Sequence, residues 1–365
     1  MTAPEAAHPS TLDLPDGWSA RPTALADVDG LTRLLWRAQE AGRGWASVQT
    51  AEVERELSGR GAEPREHLVL TDAEGALRAW GTVHDRAKGR VLVSVAVDPE
   101  LEKVAAARAA RSLFAWAEHA GGVIAVGRGL DGTQLDSGAF SDDPRQQRFL
   151  ADAGYQKVRT WWQMSRPVAP EEADPDAFPA PKPGVRIRRI ALSDDGLPDE
   201  GDLHAVHDVL ESSFADHFNS RSETFDEFLS RLRESPGHRW DHWWIAELTD
   251  DGPPDPTGAS RAPGVRAVGA VIATVIPPPL VASGIPQPGG SYVDYIGVLS
   301  SARGRGVAKS LLRAVIADAA QRGRAQVGLE VDADSPTGAD QLYSSMGWRT
   351  KYRTQSWHKD IEVPR

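Results

Sequence analysis

The two halves of this chain of 365 residues repeat one pattern, and that repeat limits the possible folds more than any other feature. Near the end of each half, a short helix pattern passes through Gly and an aromatic residue into an alternating strand. Three matches in the same order indicate two diverged copies of one structural unit. The matched segments are 18–32 with 185–196, 90–101 with 291–302, and 149–166 with 342–359.

A proline-rich segment separates the two copies. Residues 167–184 contain several prolines, which stiffen a chain, and acidic residues, which keep it solvated. We therefore expect a flexible leader at 1–17, a first domain at 18–166, a linker at 167–184 and a second domain at 185–365. A similar stretch at 250–264 lies between two strand patterns, and we interpret it as a long hairpin loop.

Strand and helix patterns alternate along the second half, which predicts an α/β fold. Each copy should form a mixed, twisted sheet flanked by helices. The predicted strands are 185–190, 242–248, 266–275, 292–298, 325–332 and 348–360, and the predicted helices are 202–217, 223–234, 304–323 and 337–346.

The composition excludes several classes of protein. Lys and Arg number 41 against 52 Asp and Glu, so the net charge is −11 and bulk charge will not attract nucleic acid or an anionic membrane. The absence of cysteine excludes disulfides, thiolate metal sites and a cysteine nucleophile. No apolar run reaches ~18 residues and no signal peptide is recognisable, so we expect a cytoplasmic protein with no membrane partner.

The most informative motif joins a strand to a helix. An apolar strand ends at Val298, and Arg303-Gly304-Arg305-Gly306 then leads into a helix with an apolar stripe. A helix N-terminus presents unpaired N–H groups and the positive end of its dipole, and glycine lets a ligand approach the backbone. The pattern is typical of a phosphate-binding turn, although an ordinary helix start with a chance Gly-Arg-Gly is the alternative.

Two common phosphate motifs do not fit this turn, which argues against an NTPase. Arg303 and Ala308 stand where a P-loop needs glycine, and Lys309 stands where the dinucleotide fingerprint needs its third glycine. The spacing Arg-x-x-Gly-x-Ala over Arg303, Gly306 and Ala308 instead resembles the pyrophosphate motif of the GNAT superfamily of acetyl-CoA-dependent N-acetyltransferases.

Residues further along strengthen this resemblance, which covers 185–360. Leu342-Tyr343 and Gly347-Trp348 follow the next strand at the spacing of the family. Two positions depart from the family pattern, because Ser335 replaces the usual Asn and Leu299-Ser300 replaces the usual Pro.

The resemblance implies an acetyl-CoA site without a metal. Backbone groups at the strand end would hold the pantetheine and the acetyl carbonyl, and the amides of the turn would hold the pyrophosphate with a lysine nearby. The implied cofactor-binding residues are Ile296, Gly297, Val298, Arg303, Gly304, Arg305, Gly306, Val307, Ala308, Lys309 and Ser335.

Two residues are candidates for the proton transfers. Tyr343 matches the family's acid, and a phenol of pKa ~10 stays protonated at neutral pH, but a core tyrosine is the alternative. Asp294 is the candidate base. It lies four residues before Val298, so strand alternation predicts both side chains on one face. A strand Asp bonded to a neighbouring loop is the alternative.

The acceptor is less defined by the sequence. The aromatic run at 238–244 could form a wall of the acceptor site, with His242 or Asp241 binding a polar substrate, or it could be a packing strand. Residues 216–219 lie where this family often binds acceptors, and the net negative charge favours a cationic one.

The first half lacks a counterpart of the glycine turn at Arg303–Gly306. Glu102, Ala105 and Ala107 stand where the second half has Arg, Gly and Ala, and Leu150 stands at the position of Tyr343. We therefore predict that the N-terminal copy is a degenerate GNAT-like domain, and that the C-terminal copy is catalytic, as in tandem members of the family.

The predicted activity is transfer of an acetyl group from acetyl-CoA to a primary amine of a small molecule or peptide. Transfer would be direct, because no cysteine is available to carry the acyl group. A non-catalytic acyl-CoA-binding sensor with the same fold is the alternative.

Overall fold

The computed structural model describes residues 12–58, 62, 64–215, 223–234, 238–249, 264–276, 289–334 and 338–363. The chain divides into two compact units. The first unit holds residues 1–162, 332–334 and 352–365, and the second unit holds residues 163–331 and 335–351. Most of the last strand of the chain therefore belongs to the first unit.

The first unit is a mixed sheet with helices. Its strands are β1 (Ser19–Pro22), β2 (Arg65–Thr71), β3 (Leu77–Ala87), β4 (Arg90–Val97), β5 (Gly132–Phe140), the start of β6 (Gln156–Pro167) and most of β12 (Arg349–Glu362). Their order is β1-β2-β3-β4-β5-β12-β6, with β4 and β5 parallel and β1–β2, β2–β3, β3–β4 and β5–β12 antiparallel. The helices are α1 (Val28–Arg43), α2 (Thr50–Glu56), α3 (Lys103–Gly127) and α4 (Pro144–Asp152).

Strand alternation divides the core of the first unit between the two faces of its sheet. Leu68 and Leu70 of β2 pack in a cluster that contains the buried face of α3. Val69, between them, packs with Leu31 and Leu34 of α1 in a second cluster. The two clusters lie on opposite faces, so α1 and α3 cover the sheet from both sides.

The second unit has the same kind of architecture. It contains the end of β6 and strands β7 (Val185–Arg189), β8 (Trp243–Thr249), β9 (Val265–Ile276), β10 (Gly290–Val298) and β11 (Gln326–Asp332), in the order β6-β11-β10-β9-β8-β7. β10 and β11 are parallel, and β7–β8, β8–β9 and β9–β10 are antiparallel. The helices are α5 (Glu200–Phe214), α6 (Phe225–Glu234), α7 (Val307–Gln321) and α8 (Ala339–Ser345).

The central strand β9 fixes which helices lie on which face. Ala270 and Ile272 pack in one cluster with the apolar residues of α5 and α6. Gly269 faces the other way, toward Val307 and Leu311 of α7. The helix that follows the glycine turn therefore lies on the face opposite α5 and α6.

The structure confirms the predicted α/β fold of mixed sheets flanked by helices. The helix expected at 304–323 begins at Val307, because Gly304 and Gly306 adopt φ values of +76° and +78°, outside the helical region. The strands expected at 348–360 form one continuous strand, β12. All of the loop expected at 250–264 except Gly264 lies outside the described residues.

No helix among the residues described here is long and apolar enough to span a lipid bilayer.

The close packing of α7 on β9 predicts that Gly269 cannot be enlarged without loss of stability. A Cβ there would lie 2.7 Å from Cγ1 of Val307 and 3.2 Å from Cδ1 of Leu311. Overpacking of this kind costs about 1–3 kcal/mol, so Gly269→Ala should lower the free energy of unfolding by that amount in urea denaturation. Gly122→Ala in α3, where no atom lies within 4 Å of the new Cβ, is the control and should be neutral or stabilising. Equal stability of the two variants would contradict this packing.

Candidate functional site

The parallel strands β10 and β11 pair over only part of their length. Their register runs from Gly290 opposite Gln326 to Val293 opposite Leu329. β10 continues to Val298 with β9 as its partner on the other side. The last residues of β10 therefore have one edge that no described strand pairs, and backbone groups on such an edge need another hydrogen-bonding partner.

The ladder with β9 shows which backbone groups face this unpaired edge. The N–H of Leu299 donates to the carbonyl of Val268 at 2.9 Å, which directs Leu299 toward β9. Since alternate residues of an antiparallel strand direct their N–H and C=O groups to opposite sides, Ile296 and Val298 face the unpaired edge and Gly297 faces β9. Of the three residues predicted to bind pantetheine, Ile296 and Val298 therefore direct their backbone groups to the unpaired edge.

Gly297 contributes close packing. A Cβ at this position would lie 2.9 Å from Cβ of Ser213 and 3.0 Å from Cδ2 of Leu210, both on α5. Only glycine lets α5 approach the strand this closely, so Gly297 sets the distance between that helix and the end of β10.

A β-bulge in β10 corrects the prediction that Asp294 and Val298 share a face. Val293 pairs with Ala273 but Tyr295 pairs with Ile272, so Asp294 is the extra residue. The bulge shifts the alternation by one residue, and Val298, paired with Gly269, lies on the α7 face. Asp294 is hydrogen-bonded by Thr274 and lies on the face of α5 and α6.

The Asp294 carboxyl is largely removed from water. Burial raises its pKa to about 6, although a hydrogen bond from Thr274 and the charge of Arg231 both lower it. Its Oδ2 atom is buried and has no hydrogen-bond partner in the described part of the chain. A carboxyl with this pKa is largely ionised at neutral pH and has a free oxygen to accept a proton.

Arg231 of α6 is part of this environment, although no sequence pattern indicated it. Its Nη1 donates to the hydroxyl of Tyr295 at 2.5 Å, and its Nη2 lies 2.6 Å from the carboxylate of Glu223. Tyr295 follows the bulge residue Asp294 directly. No local sequence signal could have placed Arg231 here, because it lies far before Asp294 in the chain and reaches this strand only through the packing of α6.

The turn after β10 has the geometry of an anion-binding backbone. A single 3₁₀ turn at Ser300–Ala302 leads to Arg303, and Gly304 and Gly306 follow in the left-handed region. Gly306 is the N-cap of α7 and no side chain caps the helix, so its first N–H groups remain available to a ligand. Arg305, Val307, Ala308 and Lys309 complete the predicted set at this helix start.

Lys182 lies against this turn, although it belongs to the segment predicted to be the linker. Its Nζ donates to the carbonyl of Gly304 at 3.0 Å. Its aliphatic carbons lie 3.8–3.9 Å from where a Cβ on Gly306 would be. The end of the Pro-rich segment therefore brings a fourth basic side chain to a turn that already has Arg303, Arg305 and Lys309.

Tyr343 lies on the short helix α8 and is buried. Burial raises the pKa of its phenol to about 12, so the hydroxyl keeps its proton at neutral pH. Its ring meets that of Trp348 edge to face, with centroids 6.1 Å apart, and the N–H of Trp348 donates to its carbonyl. Both readings of this residue, an acid and a core tyrosine, are compatible with that position. Ser335 lies outside the described residues.

The aromatic run at 238–244 packs into the core. Trp243 and Trp244 are buried, and His242 is fully buried with its Nδ1 2.7 Å from the carboxylate of Asp241. Burial lowers the pKa of His242, which favours the neutral ring. This geometry favours the packing interpretation of the run. Residues 216–219 lie outside the described part of the chain.

The first unit differs at the equivalent place. Helix α3 begins at Lys103 with Glu102 as its N-cap, so no left-handed glycine turn precedes it. The carbonyl of Val97, the counterpart of Val298, accepts a hydrogen bond from the Arg145 side chain at 3.1 Å. The strand edge that no described residue pairs in the second unit is therefore occupied here by the unit's own side chain.

The described residues place an open backbone edge, a glycine turn and a carboxyl of raised pKa within one unit. No cluster of three or more His, Asp or Glu suited to a metal occurs among these residues. Such an arrangement can bind an elongated anion by its phosphates and accept a proton beside it, which is the chemistry of acyl transfer.

Comparison with known proteins identifies the family of this chain. The model of the acetyltransferase (GNAT) family matches residues 207–348, which include β10, the turn, α7 and α8. The mycothiol acetyltransferase of Thermobispora bispora is 30% identical over 235 residues, covering 61% of this chain and 68% of that protein. The mycothiol acetyltransferase of Kocuria rhizophila is 28% identical over 315 residues, covering 85% of this chain and 92% of that protein. The chain belongs to the GNAT family of acetyltransferases.

Solved structures show the same fold over nearly the whole chain. A GCN5-related N-acetyltransferase from Sphaerobacter thermophilus superposes with a TM-score of 0.72 at 24% identity, over 96% of this chain and 98% of that one. A tandem GNAT protein from the clavulanic acid biosynthesis pathway superposes with a TM-score of 0.63 at 13% identity, over 95% of this chain and 100% of that one. The fold is therefore that of the tandem type.

Proposed function

We propose that the second unit transfers an acetyl group from acetyl-CoA to a primary amine of a small molecule or peptide. The observation that carries this proposal is the unpaired edge at Ile296 and Val298, followed within a few residues by the left-handed turn at Gly304 and Gly306. An extended pantetheine could pair with that edge as a strand would, while its pyrophosphate meets the N-terminus of α7.

The basic groups around the turn support the binding of coenzyme A by a chain whose net charge is −11. Backbone amides from Gly304 to Lys309 supply fixed donors, whereas that of Arg303 already donates to the carbonyl of Ser300. The ammonium of Lys182 adds charge from a neighbouring segment. Fixed amides suit a phosphate because they cannot be titrated and need no reorganisation.

The proposed reaction needs two proton transfers. The amine nitrogen attacks the thioester carbonyl and loses a proton to Asp294, directly or through a water. The carbon–sulfur bond breaks as the carbon–nitrogen bond forms, and the departing thiolate takes the phenol proton of Tyr343. Asp294 is suited to the first step because it is ionised at neutral pH, and Tyr343 to the second because its hydroxyl is still protonated.

The charge of Asp294 and the names of two relatives support one class of acceptor. An ionised Asp294 with a free oxygen attracts a cationic amine. Two relatives are named for acetyl transfer involving mycothiol, so amines of that thiol class head the set to be tested.

Acetyl transfer is tested by incubating the protein with acetyl-CoA and a panel of amines. Coenzyme A and acetylated amine should appear in equal amounts, and mass spectrometry should be used because a thiol-bearing acceptor would react with thiol reagents. The panel should hold thiol-bearing amines, amino sugars, amino acids and peptides. Binding of acetyl-CoA with no product from any class would instead favour the acyl-CoA sensor.

The pKa of Asp294 predicts the acidic limb of the pH profile. As pH falls through about 6 the carboxyl gains a proton and can no longer accept one, so kcat/KM should decrease tenfold per pH unit below that point. Asp294→Asn should lower kcat/KM at pH 7.5 by about 100-fold and remove this limb. Asp136→Asn, a buried carboxylate of the first unit, serves as the control. An unchanged limb in Asp294→Asn would assign the base elsewhere.

Tyr343→Phe tests the proposed acid. The variant keeps the ring against Trp348 but removes the proton donor, so kcat should fall by about 100-fold while the Kd for acetyl-CoA stays within twofold. Tyr155→Phe is the control, since Tyr155 is a buried tyrosine of the first unit whose hydroxyl has no hydrogen-bond partner among the described residues. Turnover equal to that of the control would show that Tyr343 has only a packing role.

A further inference from the structure

The first unit fills its own strand edge with two adjacent side chains. Arg145 donates to the carbonyls of Val97 at 3.1 Å and Asp98 at 2.6 Å. Gln146 donates from Nε2 to the carbonyl of Val95 at 3.2 Å. Both side chains come from the first turn of α4, so one short helix supplies three hydrogen bonds to the end of β4.

The strand ends of the two units correspond residue by residue. In the first unit the N–H of Asp98 donates to the carbonyl of Arg78 at 2.8 Å, and in the second the N–H of Leu299 donates to that of Val268 at 2.9 Å. Asp98 and Leu299 hold equivalent positions in the matched segments 90–101 and 291–302. The carbonyl of Val95 therefore corresponds to that of Ile296.

The short helices correspond in the same way. The turn after α4 closes with the N–H of Tyr155 on the carbonyl of Leu150 at 3.0 Å, and the turn after α8 closes with the N–H of Trp348 on the carbonyl of Tyr343 at 3.1 Å. Both members of each pair hold equivalent positions in the matched segments 149–166 and 342–359.

The same alignment, extended back to the start of each short helix, places small residues opposite the two side chains that fill the first unit's edge. Arg145 corresponds to Gly338 and Gln146 to Ala339. Neither replacement has a polar side chain that could reach a strand carbonyl, which is consistent with the unpaired edge in the second unit.

We propose that the side chain at position 339 determines access to the acyl-CoA groove, and that Gln146, at the equivalent position, closes the groove of the first unit together with Arg145. The inference rests on the proposed function. A glutamine side chain at the start of α8 would reach the carbonyl of Ile296 as Gln146 reaches that of Val95, and would take the position of the pantetheine.

The test is isothermal titration of the full chain with acetyl-CoA. The wild type should bind one acetyl-CoA per chain. Ala339→Gln should weaken binding by at least about tenfold, because it fills the edge and removes at least one backbone hydrogen bond to the ligand. Ser344→Gln adds the same side chain to an exposed position of the same helix and should bind like the wild type. Circular dichroism should show equal folding of all three proteins.

The outcomes separate this inference from the function on which it rests. If the wild type binds no acetyl-CoA, the proposed function itself fails. If the wild type binds and Ala339→Gln binds equally well, position 339 does not control access. A stoichiometry of two acetyl-CoA per wild-type chain would show that Arg145 and Gln146 do not close the first unit.

Discussion

The candidate site depends on the loss of strand pairing between β10 and β11 after Val293. Backbone N–H and C=O groups are obligatory hydrogen-bonding groups, so a strand end left without a neighbour must find another partner. In the first unit the partners are the side chains of Arg145 and Gln146. In the second unit the described residues supply none, so the same backbone groups are unpaired within the described part of the chain. The need of backbone groups for hydrogen-bonding partners thus explains why side chains pair the end of β4, and why the end of β10 has no partner among the described residues.

The bulge at Asp294 determines the face on which the proposed base lies. Without it, strand alternation would place Tyr295 away from α6 and out of reach of Arg231. With it, Asp294 and Tyr295 both lie on the face of α5 and α6, where burial raises the pKa of the carboxyl and Arg231 limits that rise. The arrangement keeps the carboxylate ionised close to neutral pH while leaving one of its oxygens without a partner.

The two units differ at the positions proposed to contact the ligand and are alike in the elements that form the fold. Both keep a mixed sheet, a long helix after the central strands and a short helix closed by the same backbone turn. They differ in the glycines before the long helix and in the size of two residues at the start of the short one. These differences cost the fold little, because they lie at helix ends and at a strand edge, outside the packed core.

The sequence by itself determined the repeat, the α/β fold and the glycine turn, because hydrophobic periodicity and left-handed glycines are local properties. The match of Tyr343 and its neighbours to the family spacing was also readable from the chain. Tertiary structure alone decided the face of Asp294, since a bulge depends on the register with β9. It likewise decided the approach of Lys182 to Gly304 and of Arg231 to Tyr295. The partners in each of these pairs are distant in the chain, and only packing brings them together.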